Sequence, residues 1–124
     1  MHIALWVIAV LLAAAFVYPG TTKLRYDREQ LVEAGLGWYR GWPPVAIKVL
    51  GVLELLAVVG LVLPAVIDIA PILVPIAATG LAVTMAGAMV VHARRGEFRY
   101  LALNLALLVL AAVVAWGRFG PYAF

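Results

Sequence analysis

The sequence predicts an all-α protein, a four-helix up-down bundle that spans a membrane. Hydrophobic residues make up 67% of the 124 positions and charged residues only 12%, whereas charged residues are roughly a quarter of a soluble domain. The apolar residues are gathered into segments close to the ~20 residues that cross a ~30 Å hydrocarbon layer as a helix. These segments are 1–22, 49–67, 69–91 and 100–117. We therefore expect one transmembrane domain over 1–124, embedded in a lipid bilayer.

The first predicted helix covers residues 3–18. Pro19 and Gly20 mark its end, as a Pro-Gly pair commonly does. A cleaved signal peptide is the alternative interpretation, but the front end MHIALW lacks positive charge and PGTTKLRYDRE is a poor cleavage site. A retained helix is expected.

The connection to the second helix is the one long polar segment. Its sequence YDREQLVEAGLGWY spaces Leu31, Ala34 and Trp38 along one face, which favours a short helix lying on the membrane surface. Gly35 and Gly37 lower helix propensity there. An irregular loop therefore stays open as the alternative.

Three aromatic residues precede the second helix. Trp38, Tyr39 and Trp42 lie just before Pro43 and Pro44. This arrangement is typical of amphipathic rings at the headgroup level, with a proline start for the next helix. An aromatic belt is the favoured interpretation, and a lid that gates a substrate site is the alternative.

The remaining predicted helices cover residues 45–63, 72–91 and 101–116. Pro64 is expected to end the second helix. Because the last two connections are short, consecutive helices should be antiparallel neighbours.

Basic residues are concentrated in two of the connections. Between the first two spans lie Lys23, Arg25, Arg28 and Arg40, and between the last two lie Arg94, Arg95 and Arg99. The other side has only Arg118. The positive-inside rule therefore predicts cytoplasmic basic loops and both termini outside. These charges flank hydrophobic helices and form no basic stripe, so nucleic-acid binding is not expected.

Glu54 is the one charged residue of its apolar segment. It is the tenth residue of the predicted helix, which places it near the bilayer centre at ~1.5 Å per residue. An ionised carboxylate facing lipid there costs ~2.5 kcal/mol or more, so Glu54 should face the bundle and be protonated, paired or hydrated. Lys48, about 120° away on the helix, is expected to snorkel instead of pairing with it. Within about 60° of Glu54 lie Ile47, Gly51, Val58 and Leu61, which form a face with a small notch.

A cavity is the functional hypothesis for the polar residues of the spans. Lys23, Glu54, Thr84, His92 and Asn104 could together line one ligand-binding cavity that opens to the cytoplasm, with Glu54 as the candidate catalytic residue.

Each of these residues also has a structural interpretation. Thr79, Thr84 and Asn104 are typical interhelical hydrogen-bonding residues. His92 is typical of the membrane interface, and Lys23 of a charge that fixes topology.

The third helix carries a row of small residues. Gly80, Thr84 and Ala88 recur every four residues, which allows helix backbones to approach closely. The row is expected to oppose Glu54, and it could instead join protomers of a homo-oligomer.

The chain contains no cysteine and two histidines. Disulfide exchange, thiolate catalysis and cysteine-held metal centres are therefore excluded for this chain alone. His2 and His92 lie at opposite predicted membrane faces and cannot together hold a haem within one chain. No metal site is predicted and the cofactor stays open, so electrons would have to be carried by a ligand or a partner.

Several motifs together resemble the DoxX-like family of small four-helix membrane proteins. They are PGTTKL at 19–24, GVLELLAVVGLVLP at 51–64, HARRGEF at 92–98, and Asn104. Their order spans nearly the whole chain. The resemblance implies a four-helix bundle and, for some relatives, association with quinone-linked or other membrane oxidoreductase systems.

Three functions follow as hypotheses. The first is an accessory or ligand-binding component of a quinone-linked redox or stress-related system, with a membrane oxidoreductase or a quinone as partner. The second is a proton-coupled transporter of small lipophilic or cationic compounds that uses Glu54. The third is a small membrane enzyme in which Glu54 acts on a lipophilic substrate. Whether the protein is an enzyme stays open, as does the identity of its ligand.

Overall fold

The computed structural model describes residues 2–124 and confirms the all-α fold. In this part of the chain there are helices and turns but no strand. The helices are α1 (His2–Arg25), the short α2 (Arg28–Glu33), α3 (Pro44–Val66), α4 (Leu73–Arg94) and α5 (Arg99–Phe119). The four long helices are each long and apolar enough to cross a membrane. The chain is therefore an integral membrane protein with several spans.

The helix α1 is longer than predicted, because it continues through Pro19 to Arg25. Proline is tolerated inside membrane helices where nearby hydroxyls and neighbouring helices support the backbone. Here Thr21 donates a hydrogen bond to the carbonyl of Val17 at 2.7 Å, and Thr22 donates one to the carbonyl of Pro19 at 3.0 Å. The predicted exit at the Pro-Gly pair is wrong, and the start of the polar connection is helical.

The other long helices also extend beyond their predicted ends. Pro64 lies inside α3 instead of ending it, again as neighbouring membrane helices allow. Pro43 precedes the first turn of α3 and Pro44 begins it, where a missing N–H costs nothing.

The connection between α1 and α3 contains the expected short helix followed by an irregular turn. Asp27 and Gln30 form a reciprocal capping box at the start of α2. The helix ends before Gly35, whose φ of 100° favours glycine. A single 3-10 turn follows at Gly37–Tyr39. The connection is therefore helix and turn in succession, and the face predicted through Trp38 is interrupted.

The four long helices form a ring in which each contacts its two neighbours in the order α1, α3, α4, α5. The most extensive contacts are within two pairs, α1 with α3 and α4 with α5. We call the end with the α1–α3 connection and the α4–α5 turn the basic end. The opposite end, with both termini and the α3–α4 turn, is the terminal end.

The apolar core is densest towards the terminal end. Close contacts join the helix pairs there, since a Cβ on Gly117 would lie 2.6 Å from Leu5 Cδ1 and one on Gly60 would lie 3.0 Å from Ala77 Cβ. The fully buried core side chains include Leu5, Leu12, Leu61, Val74, Ala78, Leu81, Ala111 and Val114. Most outward-facing side chains are apolar and exposed, as lipid contact requires.

The small-residue row of α4 does not form the core of the bundle. Gly80 is exposed, and a Cβ added there would meet nothing within 4 Å. Side chains on the adjacent face, namely Ala78, Leu81 and Met85, occupy the bundle core instead. The expectation that the whole row packs opposite Glu54 is wrong.

Two glycines bring α1 and α3 together near the basic end. A Cβ on Gly51 would lie 2.9 Å from Lys23 Cβ and 3.1 Å from the carbonyl oxygen of Gly20. Only residues without a side chain allow this approach. The crossing holds Lys23 of α1 against the face of α3 that carries Glu54.

Candidate functional site

Lys23 and Glu54 form a buried ion pair between α1 and α3. Lys23 Nζ donates to both carboxylate oxygens of Glu54 at 3.0 Å, and the two residues are only 7% and 4% exposed. Lys48 lies elsewhere, donating to the backbone carbonyls of Leu24 at 3.0 Å and Tyr26 at 2.7 Å. The buried acid of α3 therefore faces the bundle and has a cationic partner.

The two buried charges of Lys23 and Glu54 compensate each other. Taking either ion out of water alone would cost several kcal/mol, and attraction between the two in a low dielectric offsets that cost. The notch at Gly51 is what lets Lys23 reach Glu54 without tilting the helices apart.

A cavity of about 780 Å³ lies between the two helix pairs, in the half of the bundle near the basic end. All five residues predicted to share a cavity line it, namely Lys23, Glu54, Thr84, His92 and Asn104. Its volume falls within the roughly 300–1,000 Å³ of small-molecule sites. Most of the remaining wall is apolar or aromatic, including Phe16, Leu50, Leu53, Met85, Leu103 and Leu107.

Side chains of the α1–α3 connection form the wall of the cavity at the basic end. Leu36, Trp38, Tyr39 and Trp42 all line it. The opening of the cavity towards the cytoplasm stays a prediction, with these four side chains at that end. Tyr39 is buried because its ring packs with Leu31 and Ile47, so it does not belong to a lipid-facing aromatic belt.

His92 lies in an aromatic cluster at this wall. Its ring stacks on Tyr100 with centroids 4.7 Å apart and meets the edge of Trp38 at 4.6 Å. Its Nδ1 lies 3.3 Å from Glu97 Oε1, which also accepts a hydrogen bond from Arg95 Nε at 2.9 Å. His92 is therefore buried, in contact with two aromatic rings and with the Glu97 carboxylate.

Glu97 lies in the turn between α4 and α5, outside the membrane-spanning segments. Burial acts to raise its pKa, but the hydrogen bonds from His92 and Arg95 outweigh burial, and its pKa is lowered from the ordinary value of 4.5. Sequence reasoning missed Glu97 and Tyr100 as neighbours of His92. The segment HARRGEFRY contained the signal. Glu97 follows His92 by five residues, and the turn that ends α4 brings the two side chains together.

The threonines of α4 do not join helices. Thr84 donates its hydroxyl to the carbonyl of Gly80 at 2.9 Å, and Thr79 donates to that of Pro75 at 2.8 Å. Both bonds are within α4, so the expected interhelical role is wrong for these two residues.

Asn104 is 8% exposed and lines the cavity from α5. Its Nδ2 is the one buried side-chain nitrogen or oxygen among residues 2–124 that has no hydrogen-bond partner. The expected interhelical hydrogen bond from this amide nitrogen is therefore absent within the described chain.

The cavity also reaches the outside of the bundle. Leu53 of α3 and Leu103 of α5 line it and are exposed on the outer surface. No group of three or more side chains suited to holding a metal ion occurs within residues 2–124.

A second polar cluster, at the terminal end, was not predicted from the sequence. Arg118 is 3% exposed. Its Nη1 lies 2.7 Å from His2 Nδ1 and donates to the carbonyl of Tyr122 at 2.9 Å, while its guanidinium lies 3.8 Å from the ring centroid of Phe124. This cluster fastens the first turn of α1 to the segment that follows α5.

Comparison with known proteins gives one match. The model of the DoxX-like family matches residues 7–114, a range that includes every residue of the cavity named above. No curated protein and no solved structure matches the chain.

Proposed function

The chain belongs to the DoxX-like family of membrane proteins, and from this premise we propose that it is a ligand-binding component of a quinone-linked redox or stress-related membrane system. In this proposal the cavity holds a quinone-type lipophile. The single observation that carries the proposal is the cavity of about 780 Å³ between the helix pairs, with a few polar groups in an otherwise apolar wall.

The composition of the wall supports a flat, lipid-soluble ligand. Ligand sites are mostly apolar, with a small number of polar groups that fix orientation. Aromatic side chains pack against flat rings by offset or edge-to-face contacts. Trp38, Trp42 and Tyr100 supply such surfaces beside the polar groups of Lys23, Glu54 and Asn104.

An accessory role fits the chemistry of the side chains. The chain has no cysteine, so it performs no thiol redox reaction by itself. Electrons would pass between the bound lipophile and a partner oxidoreductase, and the protein would position the lipophile. Affinity purification from mild detergent should then recover an oxidoreductase with the protein. Purification of the protein alone from every membrane preparation would contradict the partner part of this proposal.

Tryptophan fluorescence provides a direct binding test. Two of the four tryptophans, Trp38 and Trp42, line the cavity, whereas Trp6 and Trp116 pack against aromatic residues of the C-terminal segment. A decyl-substituted benzoquinone should quench the protein in nanodiscs saturably.

The matched variants are W38F/W42F and W6F/W116F. Saturable quenching should be lost in the first and kept in the second, because only the first removes fluorophores beside the cavity. Linear quenching that is equal in both variants would indicate partition into lipid and would overturn the proposal.

Proton-coupled transport is a second candidate, favoured by the buried Glu54 carboxylate. Lys23 occupies both of its oxygens, so a cationic substrate would have to displace Lys23. Transport into proteoliposomes that follows a pH gradient and is abolished in Glu54→Gln would support this candidate. Transport that is indifferent to the substitution would remove it.

A further inference from the structure

Resting on the proposed function, we infer that Asn104 is the anchor for the polar head of the cavity ligand and that this head is a neutral, carbonyl-bearing group. The starting point is the buried side-chain amide of Asn104, which lines the cavity with its Nδ2 unpartnered among residues 2–124. A buried donor without a partner is costly. A ligand that accepts a hydrogen bond from it removes that cost.

Three other polar side chains of the wall are already partnered within the protein. Lys23 and Glu54 satisfy each other. The Thr84 hydroxyl is bonded to the Gly80 carbonyl. A ligand therefore gains little by competing for these groups, whereas a hydrogen bond to Asn104 Nδ2 replaces none.

The charge balance of the wall selects a neutral head. The charges of Lys23 and Glu54 cancel within the wall, and Glu97, which contacts His92 from outside the wall, is offset by Arg95 at 2.9 Å. A charged head would enter an apolar space without a free counter-ion, which is unfavourable. A carboxamide carries no charge and its NH₂ donates, so a carbonyl oxygen is its complement. Nδ2 is buried in this conformation, and a rotation of the amide about its last torsion, which is soft in asparagine, would turn it towards the cavity.

The face of α5 that lines the cavity sets the orientation of the ligand. Tyr100, Asn104 and Leu107 lie at spacings of four and three residues and all line the cavity, so they lie on one face of the helix. The aromatic ring is on the side of the basic end and the leucine is on the side of the bilayer middle. A ring-shaped head would lie beside Tyr100 and Asn104, with its hydrocarbon tail along Leu107.

The test measures binding of two probes to the protein in nanodiscs. The first is a decyl-substituted benzoquinone and the second is decylbenzene, which has the same tail but no carbonyl. Asn104→Leu keeps the side-chain volume and removes the hydrogen bond. It should weaken quinone binding about tenfold, leave decylbenzene binding unchanged, and raise the melting temperature of the ligand-free protein.

Thr79→Val is the matched control. Thr79 is not among the residues that line the cavity, and its hydroxyl is bonded within α4 to the carbonyl of Pro75, so both probes should bind as to the original protein. Quinone binding that is equal in the original protein and in Asn104→Leu would overturn the inference and leave the proposed function standing. Failure of the original protein to bind the quinone would overturn the proposed function itself.

An infrared measurement on the original protein keeps the inference testable if Asn104→Leu does not fold. A benzoquinone with ¹³C-labelled carbonyls should show one carbonyl stretch at lower wavenumber when bound than when dissolved in lipid, because a hydrogen bond weakens the C=O bond. Bound quinone with both carbonyl stretches unshifted would overturn the inference.

Discussion

At the scale of single residues, the central feature of the site is the ion pair between Glu54 and Lys23. Sequence spacing showed that Lys48 points away from Glu54, but it could not select Lys23, because α1 had been predicted to end before it. Only the continuation of α1 to Arg25 fixes the direction of the Lys23 side chain. The inward orientation of Glu54 could be predicted from burial cost, whereas its pairing required knowledge of the helix end.

Removal of one partner should destabilise the protein more than removal of both. Lys23→Met leaves a buried carboxylate uncompensated, which typically costs about 3–5 kcal/mol. The double variant K23M/E54L replaces the pair by apolar groups and should recover most of that stability. Melting temperatures in detergent micelles measure both effects.

The exposed Arg40 provides the control, since Arg40→Met should change stability by no more than about 0.5 kcal/mol. Equal destabilisation by K23M and K23M/E54L would show that the ion pair is not a thermodynamic unit.

The lowered pKa of Glu97 should make the stability of the folded protein depend on pH. Its pKa is lowered in the folded protein, so its contribution is fully present above the unfolded value of about 4.5. The contribution is lost as the pH falls through the lower folded pKa. The melting temperature should therefore exceed that of Glu97→Gln at pH 6, and the difference should shrink as the pH falls below 4.5. A difference that grows with acid would contradict this assignment.

At the scale of the helices, glycines decide where elements can approach. The notch at Gly51 was predicted from its position on the Glu54 face, and it is where α1 crosses α3. The row of Gly80, Thr84 and Ala88 has the spacing of a close helix contact, yet no neighbouring helix packs against Gly80. Spacing alone predicts which residues share a face, but which face meets a neighbour depends on the larger side chains, here Leu81 and Met85.

Gly51→Ala and Gly80→Ala should therefore differ in their effect on stability. The first places a Cβ 2.9 Å from Lys23 Cβ, which forces the helices apart at a typical cost of 1–3 kcal/mol, on the order of other overpacking substitutions. The second meets no atom within 4 Å and should be neutral or stabilising by up to about 1 kcal/mol. Thermal unfolding compares the two.

The Gly80 variant also tests self-association. If Gly80→Ala or a bulkier substitution changes the oligomeric state in native mass spectrometry, the exposed row joins protomers. Unchanged mass and stability would assign the row to lipid contact.

At the scale of the whole molecule, charge predicts an orientation that the fold alone does not. Both connections at the basic end carry several arginines, and the terminal end carries Arg118, which is buried. We therefore expect the basic end to face the cytoplasm.

The absence of cysteine makes orientation simple to measure. Ile69→Cys lies in the exposed turn at the terminal end and Glu33→Cys is exposed at the basic end. A membrane-impermeant maleimide added to intact cells should label the first and spare the second until the membrane is permeabilised. The reverse labelling pattern would invert the predicted topology.

The dense packing at the terminal end affects how a solute could move through the bundle. Leu5, Leu12, Leu61 and Val114 fill the axis there, while the space beside Glu54 lies towards the opposite end. Passage of a solute along the whole bundle axis would therefore require these packed side chains to be displaced.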